Sequence, residues 1–111
     1  KLSNDEQIIY KIANAYQNKM GIFSRSEIET LTGYNSDYVE RILKRSTGKT
    51  LSEYGRTFLL KKAADMLTET NKKVGDICET LGYSNRNYFN KLFMKEYGMT
   101  PLTYRKHMRH L

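Results

Sequence analysis

The sequence predicts an all-α fold: seven helices forming two helix-turn-helix subdomains joined by a long linker helix. Three observations predict it. Apolar residues recur with helical spacing, and the alternation typical of strands is absent. Capping residues stand where the periodic stretches begin, and glycines stand where they end. The chain also repeats itself, which means one small structural unit occurs twice.

The elements follow in order. Ile9, Ile12, Ala13, Tyr16 and Met20 lie on one helical face, and Ser3 with Glu6 forms a capping box, so a helix is expected over 4–19. Ser24 with Glu27 opens a second helix over 25–32, which Gly33 ends. A third is expected over 36–46, closed by Gly48. Thr50 with Glu53 opens the long helix over 51–70, whose apolar positions are Leu51, Tyr54, Phe58, Leu60, Ala63, Ala64 and Leu67. Helices over 74–81 and 85–96 precede Gly82 and Gly98, and Gly21 sits at the end of the first helix. Thr100 followed by Pro101 reads as an N-cap and first helical residue, opening a last helix over 101–109. One domain over 1–111 is expected, with a first subdomain at about 4–49, the linker helix at about 51–70 and a second subdomain at about 72–111.

The repeat has two registers. Ile28–Tyr34 matches Ile77–Tyr83 at an offset of 49, and Tyr38–Tyr54 matches Tyr88–Tyr104 at an offset of 50. Tyr38/Tyr88, Gly48/Gly98, Thr50/Thr100 and Tyr54/Tyr104 are identical, and Val39/Phe89, Ile42/Leu92 and Leu43/Phe93 keep their apolar character. Each copy is a short helix, a turn opened by Gly-Tyr, and a second helix, which is a helix-turn-helix. Val74, Ile77, Cys78, Leu81, Phe89, Leu92 and Phe93 are expected in the core of the second copy. The tyrosines recur at equivalent places, which suggests packing rather than an interface.

Charge points to the partner. The net charge is +7, which favours polyanions. Residues 41–62 carry seven bases against one acid, and residues 85–111 carry six against one. Each copy thus has its own basic segment. The outer face of the first copy's second helix shows Asp37, Glu40, Arg41 and Lys44. The same face of the second copy shows Arg86, Asn87, Asn90, Lys91 and Lys95. Arg and Lys suit guanine, Asn suits adenine and Glu accepts from cytosine, as a helix in the major groove requires. Asp37 also suits a helix start through the dipole. The linker helix would be roughly 30 Å long, close to one DNA turn of about 34 Å. Two different faces at that spacing predict an asymmetric double-stranded site.

Other classes fare worse. Cys78 is the only cysteine, so no internal disulfide forms, and the location expected is cytoplasmic. No apolar run reaches the roughly 18 residues of a membrane span, and no basic helix has a broad apolar face for a membrane surface. His107 and His110 lack further ligands for a metal, and no phosphate-cradling loop or nucleophile motif occurs. No enzyme, metal or cofactor is expected. A helical protein-interaction module is the remaining alternative, and it would bind without strong salt dependence.

The stretch Val74–Arg105, VGDICETLGYSNRNYFNKLFMKEYGMTPLTYR, resembles the second helix-turn-helix of the AraC/XylS family of bacterial transcription regulators. Ile77, Gly82, Tyr83, Tyr88, Phe89, Lys91, Phe93, Gly98, Thr100, Pro101, Tyr104 and Arg105 carry the match at the family's spacings. The resemblance extends from about Ile8 to Lys106, with Leu60–Leu67 similar to the family's linker helix. It implies seven helices and a recognition helix in each half. It places base-facing positions on Asp37, Glu40 and Arg41, then on Arg86, Asn87, Asn90 and Lys91. Lys44, Lys95 and Arg105 are the candidate phosphate contacts. It further implies transcription activation or repression, RNA polymerase as a further partner, and an N-terminal sensor or oligomerisation region outside this chain. Cys78, Met94, Leu59 and Glu29 depart from the residues common in the family at their positions.

Overall fold

In the computed structural model, residues 1–19 and 23–111 are described. Met20, placed above on the first helical face, and Gly21, placed at its end, lie outside the described residues. The helices are α1 (Asn4–Gln17), α2 (Arg25–Thr32), α3 (Ser36–Thr47), α4 (Leu51–Glu69), α5 (Val74–Thr80), α6 (Arg86–Tyr97) and α7 (Pro101–Arg109), and the described residues include no strand. The chain divides into two compact units, residues 1–58 and 59–111, with the division inside α4.

Local chemistry explains the helix boundaries. Ser3 and Ser24 each form a complete capping box, with Glu6 and Glu27 respectively. Thr50 does the same for α4: its hydroxyl accepts from Glu53 N–H at 3.1 Å and the Glu53 carboxylate accepts from Thr50 N–H at 2.9 Å. These boxes satisfy backbone donors that have no partner within the helix. Their carboxylates sit below the ordinary glutamate range because backbone N–H groups favour the charged form. At the other ends, Gly48 and Gly98 occupy equivalent left-handed conformations, φ +79° and +75°. A side chain there would clash with its own backbone, which is why glycine recurs at this point of the repeat.

Unit 1 packs α1, α2, α3 and the first turns of α4 around Ile8, Ile12, Tyr16, Ile28, Val39, Ile42, Leu43 and Leu51. The α1 stripe keeps Ile12 and Tyr16 of the predicted face but has Ile8 in place of Ile9. Ile8, Ile12 and Tyr16 are buried, while Ile9 and Ala13 are only half-buried. The set i, i+4, i+8 drifts around a helix of 3.6 residues per turn, so sequence spacing alone leaves the stripe's centre uncertain by one position. Tyr16 is the hub of an aromatic cluster with Phe23, Tyr54 and Phe58, at ring separations of 5.0, 6.2 and 5.6 Å.

Unit 2 packs the rest of α4 with α5, α6 and α7. Its core comprises Leu59, Leu60, Ala63, Ala64, Leu67, Val74, Ile77, Cys78, Leu81, Phe89 and Phe93. Cys78 is an apolar core residue, as its spacing suggested, and burial pushes its thiol up from the ordinary value. Phe93 is flanked by Tyr97 at 4.6 Å and Tyr104 at 5.4 Å. Burial among these rings pushes the Tyr97 hydroxyl up to about 12. Leu92 is half-buried rather than fully inward. The expected packing of the repeated tyrosines holds only in part. Tyr38, Tyr54, Tyr83 and Tyr104 pack against the cores, whereas Tyr34 and Tyr88, the repeat counterparts of Tyr83 and Tyr38, are exposed.

Candidate nucleic-acid interface

Each unit turns one face of its second helix outward, and the two faces are best described separately.

In unit 2, α6 begins after Asn85, whose side-chain oxygen accepts from Tyr88 N–H at 3.0 Å. Phe89 and Phe93 are fully buried on its inner side. With those two anchored, helical geometry turns Asn87, Lys91 and Lys95 outward, and all three are exposed; Arg86 shares the phenylalanine stripe but is exposed too, as the first residue of the helix. No acid lies in the first turn of α6. The start of the helix therefore offers cationic and amide donors with no acid beside them, and the one acid of α6, Glu96, lies in its last turn. Lys95 lies in the last turn, where the helix dipole also favours a cation. Asn90, expected to face outward with them, is only half-exposed, and its amide oxygen is buried without a hydrogen-bond partner.

In unit 1, α3 begins after Asn35, whose side-chain oxygen accepts from Asp37 N–H at 2.9 Å. Glu29, a residue unusual for the resemblance noted above, reaches from α2 to accept from Ser36 N–H at 2.8 Å. It thus serves the start of α3, a use its repeat counterpart Cys78 cannot fill. Arg41 and Lys44 are exposed on α3, with the Arg41 guanidinium 5.8 Å from the Tyr38 ring centre. Asp37, Glu40, Arg41, Lys44 and Arg45 line one open depression.

The two acids of this face have other uses than the one expected. Arg25, from the first turn of α2, donates to Ser36 Oγ and Asp37 Oδ1, each at 3.2 Å, and to Glu40 Oε1 at 2.8 Å. The second Glu40 oxygen accepts from Leu51 N–H at 2.8 Å, at the start of α4. Both Glu40 oxygens are thus engaged, and its side chain is only 25% exposed. The Leu51 N–H first, and then Arg25, hold its carboxyl below the ordinary range. Glu40 acts within the fold as a cap on α4, which corrects its reading as a free base-facing acceptor. Asp37 remains 85% exposed beside Arg25.

Arg105 also needs correcting. Its guanidinium donates to the carbonyls of Leu67 at 2.9 Å, Thr70 at 3.3 Å and Lys72 at 2.6 Å. These carbonyls lie at and beyond the C-terminal turn of α4, where helical partners run out. Arg109 joins it on Thr70 O and on Asn71 Oδ1. Arg105 thus ties α7 to the end of α4 within unit 2, through Nε and Nη2 donating to backbone oxygens.

Sequence reasoning missed Arg25, and it missed Asn35 and Asn85 as caps. The asparagines carried a local signal, an Asx residue just before a helix. Arg25 carried none, since its partners lie 11, 12 and 15 residues away. Arg45 is likewise tied to Asp5 at 2.7 Å, across 40 residues. Among the described residues no group of three or more His, Cys, Asp and Glu could hold a metal ion. Among the described residues no helix is long and apolar enough to cross a membrane.

A family model described as a helix-turn-helix domain matches residues 29–107. The regulatory protein SoxS of Salmonella typhimurium is 36% identical over 74 residues, covering 67% of this chain and 69% of SoxS. YisR of Bacillus subtilis, an uncharacterised HTH-type transcriptional regulator, is 38% identical over 73 residues, covering 66% of this chain. The chain spans only 25% of YisR's length. A transcriptional regulator from Chromobacterium violaceum, described as an AraC-type DNA-binding domain-containing protein, superposes with a TM-score of 0.83 at 21% identity over 90% of each chain. The DNA-binding domain of AdpA, solved in complex with a target DNA, superposes with a TM-score of 0.77 at 16% identity over 93% of each chain. These last two likenesses concern the fold.

Proposed function

The chain belongs to the AraC-type helix-turn-helix family, and from that premise we propose that it binds duplex DNA sequence-specifically as one domain of a bacterial transcription regulator. In this reading α3 and α6 are the recognition helices, set in successive major grooves of an asymmetric site. The observation that carries it is the outer face of α6. Asn87, Lys91 and Lys95 stand exposed on it, opposite two fully buried phenylalanines, and Arg86 is exposed at the start of the helix. That arrangement gives base-reading donors on a rigidly seated helix, with a phosphate-range cation at its end. The repeated unit on α3 adds Arg41 and Lys44. The AdpA domain, of the same fold, was solved on its target DNA, which supports the same use here.

The base-facing set is then Arg86, Asn87, Lys91 and Arg41, with Lys44 and Lys95 on phosphates. Asn90 joins through its amide nitrogen, since its oxygen is turned inward. The work is done in the cytoplasm and includes no catalytic step. RNA polymerase and a sensor or oligomerisation region complete the regulator's partners.

Selection of bound duplexes from a random pool, at two salt concentrations, tests this reading. The expected result is an enriched asymmetric site with two elements about 10 bp apart. Lys95→Ala should then weaken binding to all duplexes alike and lower the salt slope by about 1. Absence of any enrichment, with no affinity for duplex DNA at low salt, would overturn the proposal.

A further inference from the structure

The repeat supplies an internal comparison. In unit 1, Arg25 holds the two acids of the α3 face, Asp37 and Glu40, at 3.2 and 2.8 Å. The repeat offsets of 49 and 50 pair Arg25 with Val74, Asp37 with Asn87 and Glu40 with Asn90. Unit 2 has neither the acids nor the arginine. Each carboxylate is replaced by an amide, and the guanidinium by an apolar side chain that is buried. The three charges thus occur together in one unit and are missing together from the other.

The rest of the comparison fits. Leu51, whose N–H binds the second oxygen of Glu40, pairs with Pro101 in the repeat. Proline has no N–H to offer. The amide oxygen of Asn90 is buried without a partner, where Glu40 has two.

We propose that Arg25 is a charge-compensating residue for the α3 face, neutralising Asp37 and Glu40 so that this face can approach a polyanion. The inference rests on the DNA-binding reading above and names a residue outside both recognition helices. Its physical basis is simple. A duplex presents a dense row of phosphates, and carboxylates set toward it are repelled. Asp37 and Glu40 stand on the same face as Arg41 and Lys44. Arg45 in the same depression is already paired with Asp5, so without Arg25 the two acids would cancel Arg41 and Lys44; with it, the face keeps a net positive charge. Arg25 and Asp37 are largely exposed, at 55% and 85%. The exposed Arg25–Asp37 pair contributes little to folding, whereas Glu40 is only 25% exposed, so melting each variant separates the Glu40 contribution to folding from the effect on binding.

The test is a charge-rescue experiment on the 111-residue chain, using a fluorescent duplex of about 25 bp, long enough for two half-sites. R25A should weaken binding on the order of tenfold at low salt. The loss should shrink as added salt screens exposed charges. R25A combined with D37N and E40Q should bind at least as tightly as the unaltered chain, because the glutamine carbonyl still accepts from Leu51 N–H while both carboxylate charges are gone. A loss in R25A that this triple variant leaves in place would overturn the inference and mark Arg25 as a direct contact or a fold element. Unchanged binding by R25A would overturn it too. Thermal melts accompany each variant, and R25Q is read in place of R25A if that protein does not fold. Failure of the unaltered chain to bind any duplex would instead refute the DNA-binding reading itself.

Discussion

Gly55, in the second turn of α4, faces the Tyr16 ring of α1, and replacing it by alanine has two opposed consequences. In a helix interior the substitution normally stabilises, by roughly 0.5–1 kcal/mol, because glycine loses more backbone freedom on folding. Here an added Cβ would lie 2.9 Å from Tyr16 Cε1 and 3.0 Å from both its Cζ and its hydroxyl oxygen. The ring cannot simply swing aside. Tyr16 is 1% exposed, and Phe23 and Phe58 press on it at 5.0 and 5.6 Å. Overpacking of this kind costs about 1–3 kcal/mol. The net expectation for Gly55→Ala is a loss of about 0–2 kcal/mol, read as a lower melting midpoint by roughly 4–8 °C per kcal/mol. Gly75, in α5, is the control: a Cβ there meets nothing within 4 Å. Gly75→Ala should therefore stabilise, by up to about 1 kcal/mol. Tyr16→Phe added to Gly55→Ala removes only the hydroxyl contact, so it should recover only part of the loss. Thermal and urea melts of the set give the answer. If Gly55→Ala gained as much stability as Gly75→Ala, the close approach of α1 and α4 would be refuted.

Three further expectations concern the same structure. Phe93→Ala should cost about 3–5 kcal/mol by melt, since the ring is fully buried under Tyr97 and Tyr104. Arg105→Ala should destabilise by about 1–2 kcal/mol, allowing for partial exposure of its hydrogen bonds to α4 carbonyls. It should leave the salt slope of DNA binding intact, and a reduced slope would return Arg105 to the phosphate contacts. Glu40 and Glu53 titrate below the ordinary value of 4.5 in the folded chain. Groups lowered by folding stabilise it at pH above their unfolded value, and that contribution is lost as pH falls through the folded value. The melting midpoint should hold down to about pH 5 and fall below about pH 4.5, and Glu40→Gln should flatten that fall.

Much of this molecule is legible in the sequence because its determinants are local. Three capping boxes and the glycines after α2, α3 and α6 act within about one helical turn, so their residues sit side by side in the chain. The repeat then doubles every inference: what is inward at Val39, Ile42 and Leu43 is inward at Phe89 and Phe93 as well. The family pattern between Val74 and Arg105 rests on such spacings. The sequence therefore determined the helices, their order, the duplicated unit and the identity of its outward face.

What each outward side chain does was decided only by the tertiary structure. Glu40 and Arg41 are neighbours on one recognition face by spacing. Yet one carboxylate closes onto Leu51 and Arg25, 11 and 15 residues away, while the guanidinium beside it stays exposed by the Tyr38 ring. Arg105 fits a phosphate-contact pattern by type and position, but its donors meet carbonyls more than 30 residues earlier in the chain. The physical reason is the directionality of polar bonds. Apolar burial needs only the right face, which periodicity supplies, whereas a charged group's role depends on which partner lies within about 3 Å, and that distance exists only once the helices have packed.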